Sequence, residues 1–243
     1  MSLAKIYAHT YQHCTKNKRK YRKPKTEVHQ GLGYKDSPRP FGDVPAEVEV
    51  VNQDTIMAAL SLTEEKLNPL VLNMASDRNP GGGVKKGARA QEEALFRRTN
   101  YCLHLNRELV SYPLSWDQVV YTPDVAVIKD TDHHLIQPPR YLSFVACAGL
   151  RNPKHDKDGK FTFPRDRYQL KCKILNIFET AILHGHDSLV LGALGCGAFH
   201  NSPREVVKFF NEIIEAYRIG AFKKIVFAVL GEPNFSIFFE NIA

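Results

Sequence analysis

The stretch NPGGGVKKGARAQEE, residues 79–93, combines residue types that can do two kinds of chemistry. Three consecutive glycines at positions 81–83 allow backbone N–H groups to approach a phosphate closely. Two adjacent carboxylates, Glu92 and Glu93, can donate and accept protons. The stretch therefore predicts a site in which a bound phosphate lies close to an acid.

This stretch does not match the phosphate loop of nucleoside triphosphatases, whose pattern is G-x-x-x-x-G-K-[ST]. Counted from Gly82, the second glycine of the pattern falls at Gly87. Ala88 and Arg89 then stand where the pattern requires lysine and a hydroxyl residue. We conclude that the glycines do not bind a nucleotide in the P-loop manner.

A second glycine-rich segment, GALGCGAFHNSP at residues 192–203, lies directly before a predicted helix. Gly192, Gly195 and Gly197 are spaced G-x-x-G-x-G, which differs from the dinucleotide fingerprint G-x-G-x-x-G. Backbone N–H groups and the helix dipole at such a position favour an anion. Cys196 lies between two of these glycines without an identifiable base, so we expect it to fit as a small residue rather than to act as a nucleophile.

Apolar strand patterns alternate with helix patterns from residue 46 onward. The predicted strands are residues 48–52, 69–74, 118–128, 141–149, 188–194 and 224–230. The predicted helices are residues 54–62, 88–105, 166–185 and 202–220.

Local signals support the helix predictions. Asp54 is a predicted N-cap, and Leu170, Ile174, Phe178 and Ile182 recur every four residues on one helix face. The helix 202–220 should begin with Ser202 as N-cap, Pro203 in first position and Glu205 completing a capping box.

Long helices between uninterrupted apolar strands predict a three-layer α/β/α fold with a mixed, largely parallel sheet. Ligands of such sheets bind beyond the carboxyl ends of the strands. Both glycine-rich segments follow predicted strands, so we expect them to face the same crevice.

The net charge of +7 is concentrated in the first segment. Residues 1–45 hold 10 of the 33 Lys and Arg residues but only 3 of the 26 Asp and Glu residues, so residues 46–243 hold 23 of each. We predict a basic, irregular N-terminal extension at 1–45 and one catalytic domain at 46–243. The basic run 16–25 is typical of a solvated arm, a polyanion-binding arm or a nuclear address.

The composition excludes several classes of protein. The five scattered cysteines form no CxxC pair, which disfavours a zinc site or a disulfide framework and favours a reducing compartment. Neighbouring histidines at 133–134 and at 184 and 186 lack thiol or carboxylate company, so we predict no metal and no cofactor. No apolar run is long enough to span a membrane, and the N-terminus lacks a signal-peptide pattern. We expect a soluble intracellular protein without a membrane partner, cytoplasmic or, in a eukaryotic host, nuclear.

Three motifs occurring in order resemble the bacterial, macrodomain-type poly(ADP-ribose) glycohydrolases. They are VEVVNQDTIMAA at 48–59, VLNMASDRNPGGGVKKGARAQEE at 71–93 and LVLGALGCGAFHNSPREVVKFF at 189–210. The resemblance covers roughly residues 46–231. It implies a macrodomain-like fold and hydrolysis of the ribose–ribose linkage that joins ADP-ribose units. The intact QEE sequence implies an enzyme.

The resemblance also implies roles for individual residues. Glu93 would be the catalytic acid and base, Glu92 would position ribose hydroxyls, and Asp54 would contact adenine. The remaining substrate-binding candidates are Asn79 at the ribose, Gly81, Gly82 and Gly83 at the diphosphate and distal ribose, Gln91 beside the carboxylates, Gly195, Cys196, Gly197, Ala198 and Phe199 in the diphosphate loop, and Phe235. Phe235 could stack on adenine or simply pack the C-terminal segment. His200 stands where the family commonly has a small residue.

Two adjacent glutamates cannot flank one glycosidic bond. Glycosidases usually place two carboxylates on opposite sides of the bond, whereas neighbouring residues on a helix point about 100° apart. We therefore expect one glutamate to act alone. It would protonate the departing oxygen and then accept a proton from water.

Two other functions remain open from the sequence. The protein could remove a single ADP-ribose from protein or nucleic acid, or it could be a non-catalytic reader that binds ADP-ribose. The expected partners are ADP-ribose, poly(ADP-ribose), ADP-ribosylated proteins and, through the basic arm, nucleic acid.

Overall fold

The computed structural model describes residues 1–31, 41–217 and 219–242. Its strands are β1 (Glu27–Gln30), β2 (Glu47–Val51), β3 (Pro69–Met74), β4 (Gln118–Lys129), β5 (Leu135–Cys147), β6 (Ser188–Leu191) and β7 (Lys224–Ala228). Its α-helices are α1 (Leu3–Lys16), α2 (Thr55–Glu64), α3 (Gln91–Arg98), α4 (Pro164–Leu183), α5 (Pro203–Tyr217) and α6 (Asn234–Asn241).

The strands form one sheet in the order β1-β4-β5-β3-β6-β7-β2. β3 lies at its centre and is parallel to β5 and β6. β7 is parallel to β6 and β2, whereas β4 is antiparallel to β5 and β1. The prediction of a mixed, largely parallel sheet is confirmed.

Helices cover both faces of the sheet. Apolar side chains of α4, α5 and α6 form one core cluster, represented by Phe178, Phe210 and Phe238. A second cluster lies on the opposite face and includes Tyr7 of α1, Ile56 of α2 and other side chains of those helices and α3. The three-layer α/β/α prediction is confirmed. Among the described residues, no helix combines the length and apolar character needed to cross a membrane.

Short-range signals in the sequence acted as predicted at two helices. The Asp54 carboxylate accepts hydrogen bonds from the backbone N–H groups of the first turn of α2, at 3.0 and 3.1 Å, and so caps that helix. Leu170, Ile174 and Phe178 are fully buried, so the predicted apolar face of α4 packs on the sheet.

The predicted helix over residues 88–105 is wrong beyond Arg98. At Thr99 the backbone becomes extended and forms a β-bridge with Val127. Asn100 then exchanges two hydrogen bonds with Ala126, from its backbone N–H at 2.9 Å and to its side-chain oxygen at 2.7 Å. Pairing with β4 thus ends the helix early, because it satisfies buried polar groups that a longer helix would not.

The capping box predicted for α5 is also wrong, although the helix begins at Pro203 as expected. The Ser202 N–H donates to His155 Nε2 at 3.2 Å rather than to Glu205. Glu205 instead accepts from the Phe161 N–H at 3.5 Å. Both groups therefore fasten a neighbouring loop to the start of α5.

The expectation that residues 1–45 are irregular is wrong for much of that segment. α1 places Ile6, Thr10 and Cys14 at four-residue spacing against the core, and Ser2 caps its first turn. The Thr10 hydroxyl donates to the Arg97 carbonyl at 2.7 Å, and β1 extends the sheet beyond β4. Residues 32–40 of the Gly- and Pro-rich part lie outside the described residues. The division of the chain at residue 45 stays a prediction.

Candidate active site

The first residue of α3 fixes that helix to the carboxyl end of β3. Gln91 Oε1 accepts the Met74 N–H at 2.9 Å, and Gln91 Nε2 donates to the Leu72 carbonyl at 2.7 Å. These bonds continue the hydrogen-bonding pattern of the strand with a side-chain amide. The following residues, Glu92 and Glu93, are thereby positioned at the carboxyl end of the strands, where ligands of such sheets bind.

Glu92 is a buried carboxyl that holds the glycine loop in place. Its Oε2 accepts the Ser76 N–H at 2.8 Å, and its Oε1 accepts the Gly81 N–H at 3.1 Å and Asn73 Nδ2 at 3.4 Å. Burial raises the pKa of Glu92 to about 8. The three hydrogen bonds oppose this shift only in part, and the nearby charge of Glu93 adds to it.

Replacing Glu92 with Gln is expected to remove a pH dependence of folding. Because the pKa of Glu92 is raised in the folded protein, the stability it contributes is full below the ordinary carboxyl range and is lost as the pH rises toward 8. Between about pH 5 and about pH 8, the wild type should lose unfolding free energy relative to Glu92→Gln. Denaturant titrations of both proteins across this range measure the difference. If the unfolding free energies of the two proteins changed in parallel with pH, the raised pKa of Glu92 would be contradicted.

Glu93 differs from Glu92 because only one of its oxygens is engaged. Oε1 accepts the Gly83 N–H at 2.8 Å. Oε2 is buried and has no hydrogen-bond partner among the described residues. A carboxyl that is held at one oxygen, while the other oxygen forms no bond to the described protein groups, can donate or accept a proton at a fixed position.

The three glycines are needed because the loop lies against the carboxylates and a ring. Gly81 and Gly82 have φ of +75° and +55°. A Cβ at Gly82 would lie 2.5 Å from Glu93 Oε1, and a Cβ at Gly81 would lie 2.7 Å from the Phe96 ring. A side chain at Gly82 would therefore displace the acid, and a side chain at Gly81 would displace the Phe96 ring.

The second glycine-rich loop is held by a residue that sequence reasoning missed. Asn201 is buried, and its Nδ2 donates to the carbonyls of Leu150, Gly195 and Phe199 at 2.5, 3.1 and 3.3 Å. Gly149 was missed as well. A Cβ at this position would lie 2.7 Å from Gly195 Cα, so only glycine fits against the loop. Asn201 follows the GCGAF motif by two positions, and an Asn inside a glycine-rich turn was the signal that could have found it.

Two cavities meet at Glu93. The smaller, of about 380 Å³, lies between α3, the second glycine-rich loop and the segment after β7. The larger, of about 1060 Å³, lies between the first glycine loop, α1 and the segment around Arg107. Ser76, Glu93 and Phe199 line both cavities. The acid therefore lies at the boundary of two ligand-sized spaces.

A family model, the catalytic domain of microbial-type poly(ADP-ribose) glycohydrolase (PARG), matches residues 4–130. This chain belongs to the microbial-type PARG family. The matched part contains the glycine loop, both carboxylates and α1. It begins inside the segment that the sequence had assigned to an extension.

Solved PARG structures are similar over nearly the whole chain. Poly(ADP-ribose) glycohydrolase from Thermomonospora curvata is 26% identical, with a TM-score of 0.79 and 98% of each chain covered. The same enzyme bound to the inhibitor ADP-HPD is 25% identical, with a TM-score of 0.76 and 97% of each chain covered. The enzyme from Deinococcus radiodurans in complex with ADP-ribose is 25% identical, with a TM-score of 0.72, and 97% of this chain and 96% of that chain are covered. A comparison with curated proteins gave no match.

The microbial-type PARG fold brings most of the predicted site residues together. The predicted residues that line the smaller cavity are Asp54, Gln91, Glu92, Glu93, Gly195, Gly197, Ala198 and Phe199. Asn79, Gly82 and Gly83 line the larger cavity instead. Their individual ligand contacts stay predictions.

Gly81, Cys196 and Phe235 line neither of these two cavities. Gly81 donates to Glu92 from beneath the loop. Burial raises the pKa of the Cys196 thiol to about 12, which agrees with a packing role. Phe235 packs against the core cluster, and its ring centroid lies 5.6 Å from that of Phe239. Of its two interpretations, the structure favours packing, and the adenine contact stays a prediction.

Asp54 and the arginines of α3 form a buried ionic arrangement. Arg98 Nη1 lies 2.6 Å from Asp54 Oδ1, the oxygen that also caps α2. Arg97 donates to the Ala88 carbonyl at 2.7 Å and is equally buried. These arginines join α3 to its surroundings. His200 is exposed, has φ of +57° and lines neither cavity, so its side chain does not narrow the site.

A group that could hold a metal ion is formed by Glu27 and His29 of β1 and by His184 at the end of α4. The Nε2 atoms of His29 and His184 are 2.9 Å apart, and each lies 3.8 Å from a carboxylate oxygen of Glu27. His186, which the sequence grouped with His184, instead contacts the Tyr121 hydroxyl at 3.1 Å. None of the group's three residues lines either cavity.

Proposed function

We propose that this protein hydrolyses the ribose–ribose O-glycosidic bond of poly(ADP-ribose) and releases ADP-ribose. The observation that carries the proposal is the position of Glu93 in a chain of the microbial-type PARG family. Glu93 lines both cavities, and its Oε2 has no hydrogen-bond partner among the described residues. A glycosidic acid must lie between the two sugars that it separates, and this carboxyl has space for a sugar on both sides.

In this mechanism the smaller cavity holds the ADP-ribose unit to be released. Its diphosphate lies against the backbone N–H groups of the second loop, at the N-terminus of α5, where negative charge is stabilised. The cavity volume of about 380 Å³ is in the range of small-molecule sites, about 300–1,000 Å³. Asp54 lies at the far end, where it contacts adenine.

Glu93 then transfers protons in two steps. Its protonated carboxyl donates to the oxygen that leaves, the bond between that oxygen and the anomeric carbon breaks, and positive charge develops on the released ribose. The bound diphosphate stabilises this charge. Water adds to the anomeric carbon and returns a proton to Glu93, which restores the acid. Glu92 acts chiefly by holding the loop, because its oxygens already accept three hydrogen bonds.

The two other functions predict different partners. A reader of ADP-ribose needs the binding cavity but not a proton donor, so the positioned Glu93 argues against it. A hydrolase for single ADP-ribose units would take ADP-ribosylated proteins, or nucleic acid held by the basic arm. We place the reaction inside the cell, which is supported by the free state of all five cysteines.

The test is to incubate the purified protein with labelled poly(ADP-ribose) and to separate the products. We expect ADP-ribose as the product. Intact polymer would overturn the proposal. Binding without turnover would support the reader, and release only from singly modified protein or nucleic acid would support the second hydrolase.

Asn201→Ala is expected to weaken ADP-ribose binding about tenfold. The diphosphate loop would lose the amide that binds its Gly195 and Phe199 carbonyls and the Leu150 carbonyl of a neighbouring loop. Calorimetric titration with ADP-ribose measures this. Asn17→Ala is a matched control, since among the described residues the side-chain amide of Asn17 binds only the His13 carbonyl at the end of α1. Equal affinity in both variants would show that Asn201 does not shape the site.

A further inference from the structure

The larger cavity on the other side of Glu93 is basic and partly aromatic. Its cationic side chains are Lys18, Arg78, Lys85, Lys86, Arg107 and Arg151, and its carboxylates are Glu93 and Glu108. Tyr11, whose side chain is 47% exposed, also lines it. Such a lining suits a ligand that carries phosphates and a flat base.

α1 forms one wall of this cavity and is firmly attached to the site. Thr10 bonds the Arg97 carbonyl of α3, and the backbone of Ala4 lies against Gly87, so that a Cβ at Gly87 would be 3.5 Å from Ala4 N. The N-terminal segment therefore reaches the cleft as part of its wall.

The cationic groups divide into two sets. The first set is Arg78, Arg107 and Arg151. Arg107 donates to the Arg78 carbonyl and to Asn79 Oδ1, and Arg78 and Arg151 both pair with Asp77, so these arginines shape the wall. The other set is Lys18, Lys85 and Lys86, which form no ion pair within the described ranges. Exposed ammonium groups of this kind are available to phosphates.

We propose that this cavity binds the ADP-ribose unit on the leaving side of the scissile bond, so that the enzyme contacts the polymer on both sides of Glu93. This inference rests on the proposed function, and it adds a second substrate site. The volume of about 1060 Å³ exceeds that of the smaller cavity and accommodates a second unit of the same polymer. Lys18 and Lys85 contact its diphosphate, and Tyr11 stacks on its adenine.

The test compares two double variants from the basic parts of the chain. Lys18→Ala/Lys85→Ala removes two cations that line the cavity, whereas Lys23→Ala/Lys25→Ala removes two exposed cations that do not. We expect the first to raise KM for poly(ADP-ribose) about three- to tenfold, with unchanged affinity for free ADP-ribose and unchanged kcat. The second should leave all three quantities unchanged.

Tyr11→Ala and Tyr11→Phe provide a second comparison, because Phe keeps the stacking surface. Only the Ala variant should raise KM for the polymer. Equal effects in both lysine doubles would identify a general polyanion-binding arm and overturn the proposal, as would no effect in either.

A direct binding measurement separates this inference from the proposed function. In the Glu93→Gln background, polymer affinity should fall with Lys18→Ala/Lys85→Ala even if the wild type proves unable to cleave the polymer. An oligonucleotide of equal charge that binds as tightly, and is weakened equally by the same variant, would assign the cavity to nucleic acid and overturn the polymer assignment.

Discussion

Glu93→Gln is expected to lower kcat for poly(ADP-ribose) hydrolysis by about 10²–10⁴-fold, the contribution typical of a positioned acid–base group. The substitution preserves shape, and the amide oxygen can still accept the Gly83 N–H. It removes the proton that the leaving oxygen needs. ADP-ribose affinity should therefore remain close to that of the wild type, and only turnover should fail.

The measurement is the initial rate of ADP-ribose release, with a calorimetric titration of ADP-ribose on the same samples. Glu215→Gln is the matched control, because Glu215 is an exposed carboxylate of α5 that lines neither cavity. It should retain wild-type turnover. If Glu93→Gln turned over at a comparable rate, another group would have to be the acid.

Gly82→Ala is expected to inactivate the enzyme almost as completely, although no functional group is removed. The added Cβ would lie 2.5 Å from Glu93 Oε1 and 3.1 Å from Glu92 Oε2, so at least one carboxylate must move. Displacing a reacting group by about 1 Å can cost about 10²-fold in rate. We expect kcat to fall by about that factor or more.

Backbone strain must be separated from carboxylate displacement in this experiment. Gly82 has φ of +55°, so alanine there also costs about 1–2 kcal/mol of stability. Gly185→Ala is the control, because Gly185 has φ of +69° but nothing within 4 Å of its Cβ position. Gly82→Ala should lose at least as much unfolding free energy as Gly185→Ala, and only Gly82→Ala should lose activity. Activity close to wild type in Gly82→Ala would show that the loop can yield without moving the acid.

The sequence predicted those parts of the fold that depend on near neighbours. The strand at 69–74 is observed with the predicted bounds, and the Asp54 cap and the apolar face of α4 are confirmed. Each rests on residues within about one or two helical turns, where spacing alone determines the contact. The glycine loop and the carboxylates were found because their types and order are unusual together.

The errors arose where distant segments compete for the same groups. α3 ends at Arg98 because Thr99 and Asn100 pair with β4, more than twenty positions away in the chain. Asn201 was missed because its role depends on the Leu150 carbonyl, which lies in another loop. The excess of basic residues led to the prediction that the first segment is an arm. The charge count could not show that one face of α1 is buried, because that burial depends on the core against which α1 packs.

The bonds that hold the two carboxylates also make the loop a reporter of their ionisation. The amides of Ser76 and Gly81 donate to Glu92, and the amide of Gly83 donates to Glu93. A backbone N–H is sensitive to the charge of the oxygen that it faces, so the nuclear magnetic resonance of these amides follows each carboxyl separately. A pH titration of these amide resonances, with and without ligand, would report the protonation states of Glu92 and Glu93 in the unmodified protein.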